Sequence, residues 1–326
     1  MAKFPSQRKL VYEASDISKT TMASEGLLNL PKDLSIMNRR GYASTTRKGV
    51  PLVYQCQVDW YLHDDLGTGP AAAPGADLQA TMKLTGAQNN WVVRNAAVKW
   101  HAAREAMFSN AQIKKSQRGA YSHEIRYNYH TADDTSNWLS PIDADGAAFT
   151  GGTWDHSDIT TDDDDSIALK LVGPSDIPEE SGSTGSVLNI AHAYLMSRPT
   201  VNSDTNVQMS ETPSKFSVLN QLINPTGFRQ DVLDDDIIDE ARNAQDNPPY
   251  ELIDVSDSSD LNHDITESVE LGRAVAGFGN AYGSALVEIP FGLCDFRAQA
   301  HDAAGTDTTF NGLICVTVLD IYEMQG

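Results

Sequence analysis

What the chain lacks narrows its function before any motif is read. Its three cysteines, Cys56, Cys294 and Cys315, are too few and too scattered for a disulfide framework, and no two stand at the CxxC spacing of a zinc or redox site. No window approaches the roughly 18 uninterrupted apolar residues of a membrane-spanning helix. Residues 1–15 carry positive charge with no apolar stretch behind it, unlike a secretory signal. No Asn-x-Ser/Thr glycosylation acceptor occurs. Together these absences point to a product of a reducing cytoplasm whose thiols serve as small buried hydrophobes.

Catalytic signatures are missing too. GxSxG, GxxxxGK[ST] and HExxH do not occur, and the eight histidines are dispersed. His63 beside Asp64 and Asp65 makes a catalytic pair on paper, but nothing in the sequence selects a nucleophile for it. With 45 acidic residues, a search for paired glycosidase carboxylates discriminates nothing. The expectation is a protein that is not an enzyme and needs no cofactor. In GFGNAYG the third glycine, Gly283, falls one place too late for a dinucleotide loop, after Tyr282; a glycine demanded by close backbone approach is the better reading of it. The stretches 142–146 (IDADG) and 155–165 (DHSDITTDDDD) offer the hard oxygen ligands calcium takes, making Asp143, Asp145, Asp162 and Asp164 weak candidates for a structural calcium site. They lack the spacing and closing Glu of an EF-hand, so a solvated acidic loop is the preferred reading.

What the chain does have is a steep charge gradient. Residues 1–126 hold seventeen Lys and Arg against ten acids, and residues 127–326 hold seven against thirty-five. A basic end of this kind hints at contact with nucleic acid or membrane, while an acidic remainder keeps particles apart. Residues 1–48 carry nine of the cations and four acids, and read as a basic N-terminal arm with Lys3, Arg8, Lys9, Arg39, Arg40, Arg47 and Lys48 facing an interior. Apolar anchors at 26–30 and 36–37 tuck part of the arm under the body.

Beyond the arm the patterns are mostly those of strands. Residues 50–62 alternate, with Tyr54, Cys56, Val58 and Trp60 on one face and Gln55, Gln57 and Asp59 on the other, as a half-buried strand does. Residues 67–75 (GTGPAAAPG) are a turn-rich loop. A helix is expected over 89–115, capped by Asn89 or Asn90, with Val93, Ala96, Trp100, Ala103 and Met107 inward and Arg94, Lys99 and Arg104 outward. An ordinary packed helix suits that pattern better than a membrane-surface one. Residues 131–186 form a long acidic loop with a short strand at 167–172, and 187–196 (VLNIAHAYLM) read as another strand. Arg198 and Pro199 mark a boundary. Further strands are expected at 216–223, 250–255, 285–296 and 312–322, with a short helix at 231–244. Many short strands joined by Gly, Ser and Asp loops argue against a parallel α/β sheet. The fold expected is mainly β, two jelly-roll barrels side by side, each with a flanking helix: a first barrel over 49–199 and a second over 200–326.

The order of basic arm, strand 50–62, helix 89–115 and closing strands 286–296 (LVEIPFGLCDF) and 313–322 (LICVTVLDIY) resembles the major capsid protein of tailless icosahedral bacteriophages. The likeness is to the double jelly-roll class with an internal membrane, and within it to finnlakevirus-type capsids. It is architectural, with no diagnostic motif to carry over residue by residue. The resemblance implies a structural protein of the virion that self-assembles, as trimers, into an icosahedral shell made in the host cytoplasm. Its implied partners are further copies of itself, penton or minor capsid proteins, and internal membrane lipid or genome met by the basic arm. The alternatives are a phage accessory structural protein or a β-sandwich carbohydrate-binding adhesin, for which Trp138 and Trp154 would be the binding aromatics.

Overall fold

The structure, a computed structural model, describes residues 7–17, 23–64, 79–119, 122, 124–129, 138–149, 151–152, 154–160, 166–173, 187–197, 266–275, 280–301 and 310–325. In chain order these form β1 (Lys9–Ile17), β2 (Ala23–Asn29), α1 (Leu30–Asn38), β3 (Leu52–Asp64), β4 (Gln79–Ala87), α2 (Trp91–Asn110), β5 (Asp158–Thr160), β6 (Ser166–Lys170), β7 (Val187–Asn189), α3 (Ile190–Ser197), β8 (Thr266–Val275), β9 (Asn280–Pro290), β10 (Leu293–His301) and β11 (Phe310–Glu323). The protein is mainly β, as its sequence leads one to expect.

Eight strands build two four-stranded antiparallel sheets, ordered β1-β11-β3-β9 and β2-β10-β4-β8. Their inner faces share one core. Leu10 and Tyr12 of β1, Tyr54, Val58 and Trp60 of β3, Val316 of β11, and Phe296 of β10 are all completely buried in it. The cause is period-2 alternation: successive side chains point to opposite faces, so the apolar residues at alternate positions bring one face of every strand out of water. The alternation expected in 50–62 is realised in β3. A two-residue turn, Phe291 and Gly292, joins the sheets, with both residues at positive φ (59° and 68°). Such a turn favours glycine, and the aromatic side chain is held there by burial against Tyr127, edge to face at 5.2 Å.

A second core lies where β1 and β3 begin and β9 and β11 end. Helix α2 lays Val93, Ala96, Ala97, Trp100 and Ala103 into it, α3 packs alongside, and the small sheet β5-β6-β7 adds Ile167, Leu169 and Leu188. The connection between the neighbouring strands β4 and β8 carries all of these. From it, residues 138–142 also run across the open edges of both large sheets: Leu139 N–H donates to Leu27 O at 2.9 Å and Ile142 N–H to Val11 O at 2.8 Å. Covering β1 and β2 in this way removes two edges open to stray pairing.

Three expectations are corrected. Residues 1–48 are not an arm over their described part, because β1, β2 and α1 are integral to the sandwich and Leu10, Tyr12, Leu28, Leu30 and Leu34 are core residues. A division into barrels at 199/200 does not describe the strand pairing. No two of β1–β4 are neighbours in either sheet, and each is hydrogen-bonded through β8–β11. Residues 187–196 are only briefly a strand. Asn189, buried, donates from Nδ2 to Gly173 O at 2.7 Å and accepts from Ala191 N–H at 3.0 Å, which turns the chain into α3. An apolar run of this length has no period that separates strand from helix. The expected elements at 216–223, 231–244 and 250–255 lie outside the described residues.

Candidate interaction surface

The cations assigned to an arm sit on a hydrogen-bonded end of the sandwich. Asn29 caps α1, its Oδ1 accepting from Lys32 N–H at 3.0 Å, and the helix closes at Arg39 in a left-handed conformation, φ 49°. Asn38 in the last turn clasps Gln7 twice, accepting from its N–H at 2.8 Å and donating to its carbonyl at 3.0 Å. That clasp brings Arg8 and Lys9 to the same end as Arg39 and Arg40. Residues 44–52 then form a tight loop: Thr46 N–H donates to Val50 O at 2.7 Å, and Leu52 N–H to Ser44 O at 2.9 Å. Gly49, φ 80°, packs against the His101 side chain of α2, where a Cβ has no room. Arg39, Arg40, Arg47 and Lys48 are exposed, and residues 38–51 contain no acid. Of the expected interior-facing residues, Arg8, Lys9, Arg39, Arg40, Arg47 and Lys48 are therefore brought to one end; Lys3 lies outside the described residues.

The basic face of α2 is spent inside the molecule. Arg94 Nε donates to Met324 O at 3.1 Å, Arg104 to Glu124 O at 2.6 Å, and Lys99 lies 5.6 Å over the Tyr194 ring. Arg118 grips both carboxylate oxygens of Glu105, at 2.8 and 2.9 Å, and stacks 4.3 Å over Phe108. Its hydrogen bonds hold the Glu105 carboxyl below the usual carboxylate range. This is the packed helix the sequence pattern favoured, with Asn90 as its cap, accepting from Val93 N–H at 2.9 Å.

Other sequence candidates find plainer roles. Asp143 uses its Oδ1 to accept from Asp145 N–H and Ala147 N–H, both at 2.9 Å, closing its own exposed turn at Gly146. Among the described residues no three His, Cys, Asp or Glu converge to hold a metal ion, and Asp162 and Asp164 lie outside them. Trp138 is 9% exposed, with the His156 ring 5.3 Å away and Lys32 5.5 Å over its face; Arg126 covers Trp154 at 4.3 Å. Trp138 is buried, and Trp154 is half-buried with a guanidinium over one face. Burial lowers the pKa of His156. His63 and Asp64 end β3. Gly283 lies in β9 opposite Trp60, whose indole fills the space a Cβ would need, so the close-approach reading holds for it. A cavity of about 20 Å³ between β4 and β9 has room for about one water.

No family model matches the chain, and no curated protein or solved structure does either.

Proposed function

We propose that the chain is a structural subunit of a virion shell, a major capsid protein built on one eight-stranded jelly roll where two were expected. One observation carries the reading: the interleaved order β1-β11-β3-β9 facing β2-β10-β4-β8, with its helices inserted at a single end. That interleaving is how a jelly roll closes two Greek keys into a sandwich, an architecture that viral capsid subunits use repeatedly. The same architecture serves lectins, so the adhesin reading shares the fold. It loses weight here because one of its candidate aromatics, Trp138, is buried and the other, Trp154, is half-buried under Arg126.

On this reading the described cations at the 38–51 end meet an anionic interior surface, membrane lipid or genome, each worth about 1 kcal/mol near anionic lipid. The acidic segments keep assembled particles apart. Partners are further copies of the chain, as trimers, and minor or penton proteins.

Light scattering with electron microscopy on the purified chain, at near-neutral pH and moderate salt, tests the reading. Trimers, shell fragments or closed particles are the expected result. A monomer at every concentration, with selective retention on a glycan array, overturns it in favour of the adhesin.

A further inference from the structure

Resting on the shell-subunit reading, we infer that the outer face of the β1-β11-β3-β9 sheet is the surface on which a second copy of this chain docks, related by a two-fold axis running across the strands. The register defines a grid of three rows on that face. The first is Glu13, Leu313, Tyr61, Tyr282; the second Val11, Cys315, Asp59, Ser284; the third Lys9, Thr317, Gln57, Leu286. These side chains point away from the core because their neighbours in sequence, Leu10, Tyr12, Val58, Trp60, Val287, Ile314 and Val316, point into it.

Exposed apolar area collects here. Six large hydrophobic side chains stand out as exposed among the described residues. Tyr61 (44%), Tyr282 (52%) and Leu286 (61%) are on this face, and Leu319 (39%) is at the bulge in β11 that borders it. The Tyr61 and Tyr282 rings lie 5.0 Å apart, tilted by 41°, and make one aromatic patch. Apolar clustering of this kind on a sheet marks an interaction surface.

The grid itself says what covers it. A two-fold axis along the middle row exchanges the first and third rows, which sets Glu13 of one copy opposite Lys9 of the other and Tyr282 opposite Leu286. Opposite charges meet at one margin, apolar groups at the other. The row on the axis is short and meets its own copy, so Asp59 faces the Asp59 of the other copy; each Oδ1 already accepts from Ser284 Oγ at 2.6 Å and from Gln57 Nε2 at 3.2 Å, and the like-charge repulsion left there is a cost that the two margins outweigh. Self-complementarity under a two-fold axis is the requirement of an isologous contact. Size agrees as well. Four strands about 4.8 Å apart, each roughly ten residues at about 3.3 Å, give a face of roughly 600 Å², at the lower edge of the ~600–1,000 Å² per partner of a standard stable interface.

The test is sedimentation velocity over a concentration series on the whole chain, with far-UV circular dichroism and thermal unfolding as checks on folding. Leu286→Arg weakens self-association by more than about tenfold, since it sets an unpaired cation against the apolar margin of the facing copy. Lys9→Glu and Glu13→Lys each weaken it by about threefold or more, and the double reversal returns it to within about twofold of the native value, because the exchanged charges again face each other. All three positions are exposed, so the variants keep their fold. Self-association untouched by Leu286→Arg, or a double reversal no better than the singles, overturns the interface while leaving the shell-subunit reading in place. A native chain that stays monomeric at every concentration overturns both.

Discussion

The hydroxyl of Tyr12 on β1 donates to Asp33 Oδ2 on α1 at 2.7 Å, and both side chains are completely buried between the sheets. Asp33 sits in the first turn of its helix, where a carboxylate is favoured, yet among the described residues its Oδ1 finds no hydrogen-bond partner. Burial wins: it raises the Asp33 carboxyl to about 7, against smaller downward pulls from the Tyr12 hydroxyl and from Lys32.

That displacement fixes a pH dependence. The folded protein holds the Asp33 proton more tightly than the unfolded chain, so this group favours folding most below about pH 4. Its contribution is lost as pH rises toward 7 and stays lost above. Between pH 5 and pH 8 it removes roughly 2–3 kcal/mol of stability. Asp33→Asn flattens this part of the curve. Tyr12→Phe takes away the donor of that hydrogen bond, raises the carboxyl further and costs about 1–3 kcal/mol at pH 8. Urea unfolding of the three proteins at both pH values is the check; an identical slope in native protein and Asp33→Asn refutes the account.

Gly283 is the tightest joint of β9. Gly283→Ala forces its methyl group into the Trp60 indole, and Gly283→Val adds a branch to the same collision. Overpacking of a filled core costs about 1–3 kcal/mol for the smaller change and more for the larger. Thermal midpoints that do not fall in that order show that the indole has somewhere to go. Trp60→Phe combined with Gly283→Ala recovers part of the loss.

Asn90 is the cap of α2. Asn90→Ala leaves the Val93 N–H without its acceptor and costs about 1 kcal/mol, whereas Asn90→Ser or Asn90→Asp costs little. Hydrogen exchange at Val93–Ala97 reads the loosening directly, and unchanged protection there contradicts the capping role.

The basic end makes a prediction of its own. Replacing Arg39, Arg40, Arg47 and Lys48 together by alanine leaves the fold intact, since all four are exposed, and weakens retention on anionic vesicles and on DNA. If DNA is the partner, the slope of log affinity against log salt flattens by about 0.7–0.9 for each phosphate the variant no longer neutralises. Retention equal to that of the native chain on both probes means that the charge at this end does not engage a polyanion.

How much of this was legible in the sequence depended on how local the signal was. The strand at 52–64 and the helix at 91–110 declare themselves through period, cap and composition within one window. Strand β1 also alternates, with Leu10, Tyr12 and Ala14 inward, but Lys9, Glu13 and Asp16 between them made the segment read as a charged arm. The outer-face grid has no sequence signal at all. Tyr61 and Tyr282 become neighbours only through the pairing of β3 with β9, and periodicity cannot announce a partner so far along the chain. The same holds for Asp33: an acid at the start of a helix is commonplace, and only the strand folded over it makes it a buried one.

Because β1–β4 pair only with β8–β11 among the described strands, neither large sheet can form until synthesis has passed residue 266. Leu10, Tyr12, Tyr54 and Trp60 emerge early and wait, apolar faces open, until β8–β11 arrive. Pairing so remote in sequence is slow, and it leaves unsatisfied strands available to other chains in the meantime. The expected consequences are half-made molecules that call on chaperones during synthesis, and poor solubility of fragments that end near residue 200.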